Sequence, residues 1–286
     1  MKLIERNNCP VCSNTHFKML FSLSYKDEKI SKFLSDYYKG KMPIKLLENF
    51  EYQLVECNEC KLIFQKYIPN DEFSNELYDK IISAEDSLKK KIDKKDLNSK
   101  YDNEIDLIKK IFKKKNSIKG LEFGAGWGFW ASRAIERGLD VDAFELSDKR
   151  VKYMRDKGIT VVEDMKKNQN EYDFIYSDQT IEHITNPHQI FESFLPNLKN
   201  GGFIMLNYPS SFNFKKELIK DYSPKKDAAH PLEHINLFNR SSLNYLISKY
   251  NLELINLKCQ FNPTLKNLLK DIKNFIYFDN ILIKKK

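Results

Sequence analysis

The second half of the chain alternates short apolar stretches with longer segments whose apolar residues recur at helical spacing. Short apolar stretches are typical of buried strands, and the longer segments are typical of helices that pack on them. This alternation predicts an α/β fold in which helices cover both faces of a parallel sheet. The first predicted strand ends at Glu122. The other predicted strands are Val141–Phe144, Ile159–Val162, Phe174–Tyr176, Phe203–Tyr208, Leu252–Phe261 and Phe278–Ile283. The predicted helices are Gly128–Arg137, a helix capped by Ser147 that ends at Lys157, a helix carrying Phe191 and Phe194, Ser241–Tyr250 and Pro263–Phe275.

The first half of the chain has a different pattern and divides into two parts. Residues 71–116 contain two amphipathic segments joined by a lysine-rich stretch. Residues 1–70 contain strand-like segments around one short helix. We therefore predict an N-terminal module over 1–70, a helical linker or lid over 71–116 and the α/β domain over 117–286. The predicted strands of the first half are Phe17–Ser24, Phe50–Val55 and Leu62–Tyr67, and its predicted helices are Asp27–Tyr38, Glu72–Ser83 and Ser99–Lys114.

The N-terminal module carries two C-x-x-C pairs, Cys9 with Cys12 and Cys57 with Cys60. In a reducing compartment such pairs indicate a metal site rather than disulfides. Two pairs complete a closed tetrahedral zinc site, which is structural rather than catalytic. The long segment between them predicts a zinc ribbon with a helical insertion, and the alternative is two unrelated pairs of buried thiols. The remaining cysteine, Cys259, is interpreted as a small core residue.

Composition narrows the possible partners and location. The 286 residues carry a formal net charge of +8, which suits phosphate-bearing partners or reflects a lysine-rich solvated surface. The basic runs contain few aromatic residues, so a nucleic-acid partner is not expected. No apolar run approaches the roughly 20 residues that span a bilayer. The N-terminus lacks the apolar core of a signal peptide, and we expect a cytoplasmic protein of undetermined oligomeric state.

The stretch LEFGAGWGFW, from Leu121 to Trp130, predicts the end of a strand, a glycine-rich turn and the start of a helix. Glycines let a ligand approach the backbone closely, and the helix start offers free N–H groups. A dinucleotide-binding turn would need a small residue at position 129, where this chain has Phe129. The observed pattern, E-x-G-x-G-x-G, resembles motif I of class I S-adenosylmethionine (SAM)-dependent methyltransferases. An ordinary tight turn between strand and helix is the alternative.

This resemblance implies a Rossmann-like class I sheet of seven strands, the last antiparallel, with SAM at the carboxyl ends of the strands. Polar residues follow the first four predicted strands, in the order that the resemblance requires. The acid Glu145 lies about twenty residues after the glycines and suits the ribose hydroxyls. The implied SAM-binding residues are Glu122, Gly124, Ala125, Gly126 and Gly128 for the methionine part, Glu145 and Leu146 for the ribose, Asp164 and Met165 for the adenine, and Ser177 and Gln179 near the sulfonium.

Two further motifs resemble the acceptor side of small-molecule methyltransferases. The run DQTIEHI over 178–184, followed by Asn-Pro and a later LKNGG, places Glu182 and His183 after the fourth strand. Some relatives bind a divalent ion through E-x-x-E-H and a later histidine, but Gln179 replaces the first glutamate and puts such an ion in doubt. The run HPLEHINLF places His230 and His234 in a loop after the fifth strand. A neutral imidazole there can accept the proton that the acceptor loses.

We expect the catalytic group to be Glu182, His183, His230 and His234, and the three imidazoles to converge on one pocket. Part of its lining is predicted to come from Tyr176, Tyr208 and Phe238.

The C-x-x-C pairs ahead of these motifs resemble bacterial methyltransferases with an N-terminal zinc domain that act on sugars and surface-glycan precursors. The long C-terminal domain of the sugar C-methyltransferases is missing from this sequence. The resemblance therefore implies SAM-dependent methyl transfer to an oxygen or nitrogen atom of a small molecule. Expected acceptors are a sugar, a nucleotide sugar or a phosphorylated precursor of a bacterial surface glycan. The alternatives are an RNA methyltransferase that holds nucleic acid with its zinc module and a non-catalytic zinc-ribbon binding protein.

Overall fold

A computed structural model describes residues 2–93, 97–167, 169–209, 211, 214–218, 221–255 and 278–285. The predicted helix Pro263–Phe275, the end of the predicted strand after residue 255 and Cys259 lie outside this range. None of the described helices is both long enough and apolar enough to cross a membrane.

The first seventy residues form small antiparallel sheets. The first elements are β1 (Leu3–Glu5), β2 (Phe17–Ser24), α1 (Glu28–Tyr37), β3 (Glu51–Cys57), β4 (Ile63–Gln65) and β5 (Tyr67–Pro69), with a 3-10 turn at Ile44–Leu46. Strands β2, β3 and β4 pair in order, and β1 pairs with β5. Helix α1 begins where the Asp27 side chain accepts a hydrogen bond from Lys29 N, and it buries Ile30 and Leu34. The predicted insertion between the cysteine pairs is therefore folded.

Residues 71–111 are mainly helical, in α2 (Asp71–Glu76), a π-helical turn (Leu77–Ile81), α3 (Ala84–Ile92) and α4 (Leu97–Ile111). Asn70 and Ser83 cap α2 and α3 through their side chains. The predicted helix Glu72–Ser83 thus changes to π geometry at Leu77. Helix α4 buries Ile105 and Ile108.

The remaining elements alternate as the sequence predicts. They are β6 (Lys119–Phe123), α5 (Phe129–Glu136), β7 (Asp140–Phe144), α6 (Asp148–Asp156), β8 (Tyr172–Asp178), α7 (Pro187–Asn197), β9 (Leu198–Pro209), α8 (Phe214–Leu218), β10 (Asn236–Leu237), α9 (Arg240–Lys249), β11 (Leu252–Ile255) and β12 (Phe278–Lys285), with 3-10 turns at Met165–Lys167 and Ile181–His183. The main sheet has the order β11-β12-β9-β8-β6-β7. Strands β9, β8, β6 and β7 are parallel, while β12 is antiparallel to both of its neighbours. The predicted α/β fold with a parallel sheet is confirmed.

The described part of the main sheet has six strands rather than the predicted seven. The expected strand Ile159–Val162 is reduced to one parallel bridge between Ala143 and Val161. Ala143 N donates to Thr160 O, and Ala143 O accepts from Val162 N, both at 2.8 Å. This segment is a short edge, bounded by Gly158 at φ +79° and by the acidic pair that follows, so pairing does not extend along it.

Two cores pack on opposite faces of the main sheet. One contains Trp130, Phe174 and Tyr176, and the other contains Leu121, Ile175, Phe191 and Phe194. 

The sheet of the N-terminal region is completed by the second half of the chain. Strand β10 pairs with β4 through Asn236–Phe64 and Leu237–Ile63, giving the order β10-β4-β3-β2. Leu232 and Leu237 are also buried in the core that contains Tyr25 and Tyr52. The loop after β9 is therefore built into the N-terminal sheet.

Candidate active site

The glycine turn after β6 has three left-handed residues. Gly124, Gly126 and Gly128 have φ values of +69°, +59° and +68°, a region that side chains with a Cβ rarely adopt. A Cβ on Gly124 would lie 2.5 Å from Thr180 Oγ1, and one on Gly128 would lie 2.7 Å from Met154 Cγ. Nothing lies within 4 Å of a Cβ on Gly126. Gly124 and Gly128 therefore allow Thr180 and Met154 to pack against the turn, whereas Gly126 faces open space.

Glu145, at the end of β7, lies against this turn as the sequence predicts. Its carboxylate accepts hydrogen bonds from Gly126 N at 2.8 Å and from Leu146 N and Ser147 N at 3.0 Å each. The carbonyl of Phe144 accepts from the N–H groups of Gly124 and Ala125. The neighbouring Leu146 is 84% exposed, so an apolar surface lies beside the acid.

Glu122 does not face the open side of the turn. It is buried, and its Oε2 accepts a hydrogen bond from Ala131 N in the first turn of α5 at 2.9 Å. Burial raises the pKa of Glu122 to about 8. This bond ties the end of β6 to the first turn of α5 from inside.

The other predicted cofactor residues are spread more widely. Asp164 accepts from Lys166 N and lines a groove of about 540 Å³ together with Asp142 and Glu163. Met165 lines a second groove of about 570 Å³, and neither groove includes a residue of the glycine turn. Ser177 is buried near the end of β8. Gln179 has φ +54°, and its Nε2 is buried without a hydrogen-bond partner among the described residues.

The predicted histidines come together. The ring centroids of His183 and His234 are 4.9 Å apart, and those of His230 and His234 are 5.5 Å apart. His183 Nδ1 lies 2.9 Å from Glu233 O, and His234 Nδ1 lies 2.6 Å from Asp227 O. An Nδ1 that donates to a carbonyl leaves Nε2 as the acceptor atom of the ring. In both rings, the Nε2 atom therefore carries the lone pair that can accept a proton.

Burial keeps these imidazoles neutral. It lowers the pKa of His183 to about 4 and that of His234 to about 3. His230 is fully buried beside Phe33 and Tyr37, at ring distances of 5.4 and 4.5 Å. Burial also lowers the pKa of His230 well below its usual value. The geometry therefore favours His183 and His234 as proton acceptors and gives His230 an enclosed aromatic setting.

Glu182 lies beside the imidazoles of His183 and His234. It is 1% exposed, and neither carboxylate oxygen has a hydrogen-bond partner in the part of the chain that the structure describes. Burial raises the pKa of Glu182 to about 8, and its Oε1 is 3.9 Å from His183 Nε2. Ligand atoms of Glu182, His183 and His234 all lie within 4.8 Å of one another, which is close enough to share a cation.

The predicted aromatic lining of this pocket is wrong. Tyr176 stacks on Trp130 with 3.9 Å between ring centroids, in the core on one face of the sheet. Tyr208 and Phe238 are fully buried in the core on the other face. Alternation along parallel strands sends Tyr176 and Tyr208 to opposite faces, so they cannot line one pocket.

Sequence reasoning missed three polar side chains near this sheet edge. Tyr78, from the π-helical turn, places its hydroxyl 3.0 Å from His183 Nδ1. Lys100 of α4 donates to both oxygens of Asp178 at 2.9 and 3.0 Å. Glu104 accepts from Tyr176, Asn207 and Trp130, and burial raises its pKa to about 7. The available signal was the position of Glu104 on the apolar stripe of α4.

The four cysteines of the C-x-x-C pairs also come together. Their Sγ atoms lie within 4.8 Å of one another, with 3.5 Å between Cys9 and Cys60 and 3.3 Å between Cys12 and Cys57. A tetrahedron of sulfurs about 2.3 Å from zinc has edges of about 3.8 Å, so the set fits this ion. All four are free thiols.

Comparisons with known proteins agree with this architecture. A family model described as a methyltransferase domain matches residues 95–257. The fold is similar to plantazolicin methyltransferase BpumL, at 15% identity and a TM-score of 0.54 over 75% of this chain and 95% of that one. 

Two further solved structures are similar at lower scores. A SAM-dependent methyltransferase from Mesorhizobium loti has 17% identity and a TM-score of 0.42, over 59% of this chain and 91% of its own. A SAM-dependent methyltransferase from Archaeoglobus fulgidus has 15% identity and a TM-score of 0.41, over 63% of this chain and 94% of its own. No curated protein matches the sequence. Because the family model covers more than half of the sequence, the chain belongs to the methyltransferase domain family and is a SAM-dependent methyltransferase.

Proposed function

We propose that the protein transfers the methyl group of SAM to an oxygen or nitrogen atom of a small-molecule acceptor. The observation that carries this proposal is the cluster of Glu182, His183 and His234 next to the glycine turn. Gly124 packs against Thr180, two residues before Glu182. The proposed site of the methyl donor and the proton-accepting groups therefore share one edge of the sheet, as methyl transfer requires.

SAM, when bound, supplies a methyl carbon that its sulfonium already activates. The residues of this chain then have two tasks, which are to align the acceptor with that carbon and to receive its proton. Gly126 leaves room for the donor, and Glu145 with Leu146 offers an acid and an apolar surface for the ribose and adenine. Exchange of the Glu145 bond to Gly126 N for ribose hydroxyls would keep the carboxylate satisfied.

His183 and His234 are the proposed proton acceptors. Bound SAM would supply the methyl group and leave as the neutral thioether. The proton that the acceptor loses passes to an Nε2 atom. The low pKa of His183, about 4, makes it a weaker base than free imidazole but keeps it unprotonated at neutral pH. Glu182 Oε1 lies 3.9 Å from the Nε2 atom that would take the proton.

The proposed acceptor is a sugar, a nucleotide sugar or a phosphorylated precursor of a bacterial surface glycan. The net charge of +8 supports an anionic acceptor, and the cysteine pairs support the resemblance to methyltransferases that act on such molecules. BpumL was solved with a triazolic desmethylPZN analog and SAH, which makes a natural-product acceptor the second candidate.

We also propose one structural zinc held by Cys9, Cys12, Cys57 and Cys60. The fit of the four sulfur atoms to a tetrahedron supports it. All four positions would be filled by protein, so this ion would act on folding and not on the acceptor.

The test is incubation of the zinc-loaded protein with methyl-labelled SAM and a panel of nucleotide sugars, sugar phosphates, triazole-containing compounds and RNA. We expect label on a small molecule. Label on RNA alone, with binding that falls steeply as salt rises, would contradict the proposal. 

Three substitutions distinguish a histidine that acts as the base from one that positions the acceptor. They are His183→Ala, His230→Ala and His234→Ala. Loss of a base lowers turnover by about 10² to 10⁴ and leaves SAM affinity unchanged, whereas loss of a positioning contact mainly raises the KM of the acceptor. If all three variants retain wild-type turnover at saturating substrates, histidine base catalysis is wrong.

A further inference from the structure

A glutamine of the N-terminal region bonds to the backbone of the histidine loop, which is defined here as residues 227–238. Gln65 ends β4, five residues after Cys60, and is completely buried. Its Nε2 donates to the carbonyl oxygens of His230 and His234, at 2.9 Å each. Its Oε1 accepts from Leu232 N at 3.1 Å. One side chain thus satisfies three backbone groups within five consecutive residues of the loop.

The backbone that Gln65 holds is strained. Leu232 has φ +69° and is buried, a conformation that costs a residue with a branched side chain free energy and persists only where the surroundings enforce it. The N–H that Gln65 accepts from belongs to this same residue. The turn is closed further by His234 N, which donates to His230 O at 3.0 Å. Gln65 therefore bonds to the turn at its strained residue and at both of its histidines.

Other contacts also hold the loop, and Tyr52 donates to Ala229 O just before the turn. Arg6 donates to Ile235 O at 3.2 Å and to Asn236 Oδ1 at 2.8 Å. Strand β10 pairs with β4. Arg6 and β4 hold the loop at and beyond residue 235. Within the turn, the Glu233 side chain accepts from Tyr38 and the Glu233 carbonyl accepts from His183 Nδ1, whereas Gln65 bonds to the backbone of His230, Leu232 and His234. Loss of the Gln65 side chain is expected to loosen the turn without detaching the loop.

We infer that Gln65 is a positioning residue for the proposed methyl transfer, because it fixes the turn that presents His234 to His183. The expected effect of Gln65 on turnover rests on the proposed function. The expected effect of Gln65 on the conformation of the loop does not depend on that function. It also connects the cysteine cluster to the histidines. Cys57 N donates to Leu62 O at 2.9 Å, directly before β4 begins, so the second cysteine pair sets the start of the strand that ends in Gln65.

The test compares Gln65→Met with Gln53→Met. Methionine has nearly the shape of glutamine but forms none of the three bonds. Gln53 lies on the neighbouring strand β3, and its side chain donates to Glu51 instead of the loop, so it controls for the substitution itself. Hydrogen–deuterium exchange of peptides covering 227–238 reports the turn, calorimetry reports SAM affinity, and steady-state kinetics report turnover. If Gln65→Met does not fold, Gln65→Glu keeps an oxygen for the bond from Leu232 N, while its second oxygen replaces the donating amide in front of the carbonyls of His230 and His234.

For Gln65→Met we expect loop exchange to accelerate by on the order of tenfold and turnover at saturating substrates to fall by about tenfold or more. SAM affinity should stay within about twofold of wild type, since the three bonds of the Gln65 side chain go to the histidine loop and not to the glycine turn. The acid limb of turnover should also move toward pH 6.5, because a loosened loop readmits water to His183 and His234 and raises their pKa values. Gln53→Met should match wild type in every measurement.

Two results would overturn the inference. One is unchanged loop exchange in a folded Gln65 variant. The other is a loosened loop with wild-type turnover and an unmoved acid limb. If wild-type protein neither binds SAM nor transfers methyl groups, the proposed function fails, and the exchange comparison still decides whether Gln65 holds the loop.

Discussion

Replacement of Gly126 by alanine should separate ligand binding from backbone strain. Gly126 and Gly138 have φ values of +59° and +84°, and a Cβ on either would meet no atom within 4 Å. Each Gly→Ala change therefore costs about 1–2 kcal/mol of folding free energy, which is the penalty of a left-handed alanine. The new methyl group on Gly126 projects into the open space in front of the glycine turn, whereas that on Gly138 lies after α5. Only Gly126→Ala should obstruct SAM.

The assay is a pair of measurements on both variants. Urea unfolding should give similar losses of stability, of about 1–2 kcal/mol. Calorimetry should show SAM binding by Gly138→Ala close to wild type and binding by Gly126→Ala at least about tenfold weaker, which corresponds to about 1.4 kcal/mol. If both folded variants bind SAM as tightly as wild type, the assignment of the glycine turn is refuted. If both lose the same amount of SAM affinity, backbone strain alone explains the effect.

Three further predictions concern the cysteines, Glu182 and His183. Cys57→Ser should lose the proposed zinc, whose binding can contribute on the order of 10 kcal/mol to folding, and elemental analysis that still finds one zinc per chain would contradict the site. Glu182 has a pKa of about 8 in the folded protein against 4.5 as its ordinary value, so wild type should lose stability as pH rises from 4.5 to 8, at up to about 1.4 kcal/mol per pH unit. Glu182→Gln should flatten that dependence in urea unfolding at pH 5 and pH 8, and an unchanged slope would show that this carboxyl ionises freely. If neutral His183 is the base, the acid limb of kcat/KM should lie near pH 4, and a limb at pH 6.5 would place the ring in water.

The periodicity of the sequence predicted most of the main sheet because each strand there is a short apolar run with polar residues at its ends. Strand β2 matches its predicted bounds, Phe17–Ser24. The strand expected at Ile159–Val162 is apolar enough, but pairing at an edge depends on the neighbour, which a sequence pattern does not report. Strand β10 has only two residues and pairs with a partner more than 170 positions away, so no local signal marks it.

The site was predictable where motifs follow strand ends. Glu145 and the glycine turn lie together because the carboxyl ends of parallel strands meet at one edge. The partners Tyr78, Lys100 and Gln65 were not predictable, since each comes from an element distant in sequence and contacts the site through tertiary packing. Tyr176 and Tyr208 do not share a pocket, because the register of β8 and β9 places them on opposite faces of the sheet, and a strand pattern alone does not report that register.

The central claim is tested most directly by titration of the wild-type protein with SAM in a calorimeter, with Glu145→Ala measured alongside. The account predicts saturable binding of one SAM per chain with a micromolar dissociation constant, and clearly weaker binding by Glu145→Ala, which loses the acid beside Gly126. A folded wild-type protein that binds no SAM at millimolar concentration would contradict the account.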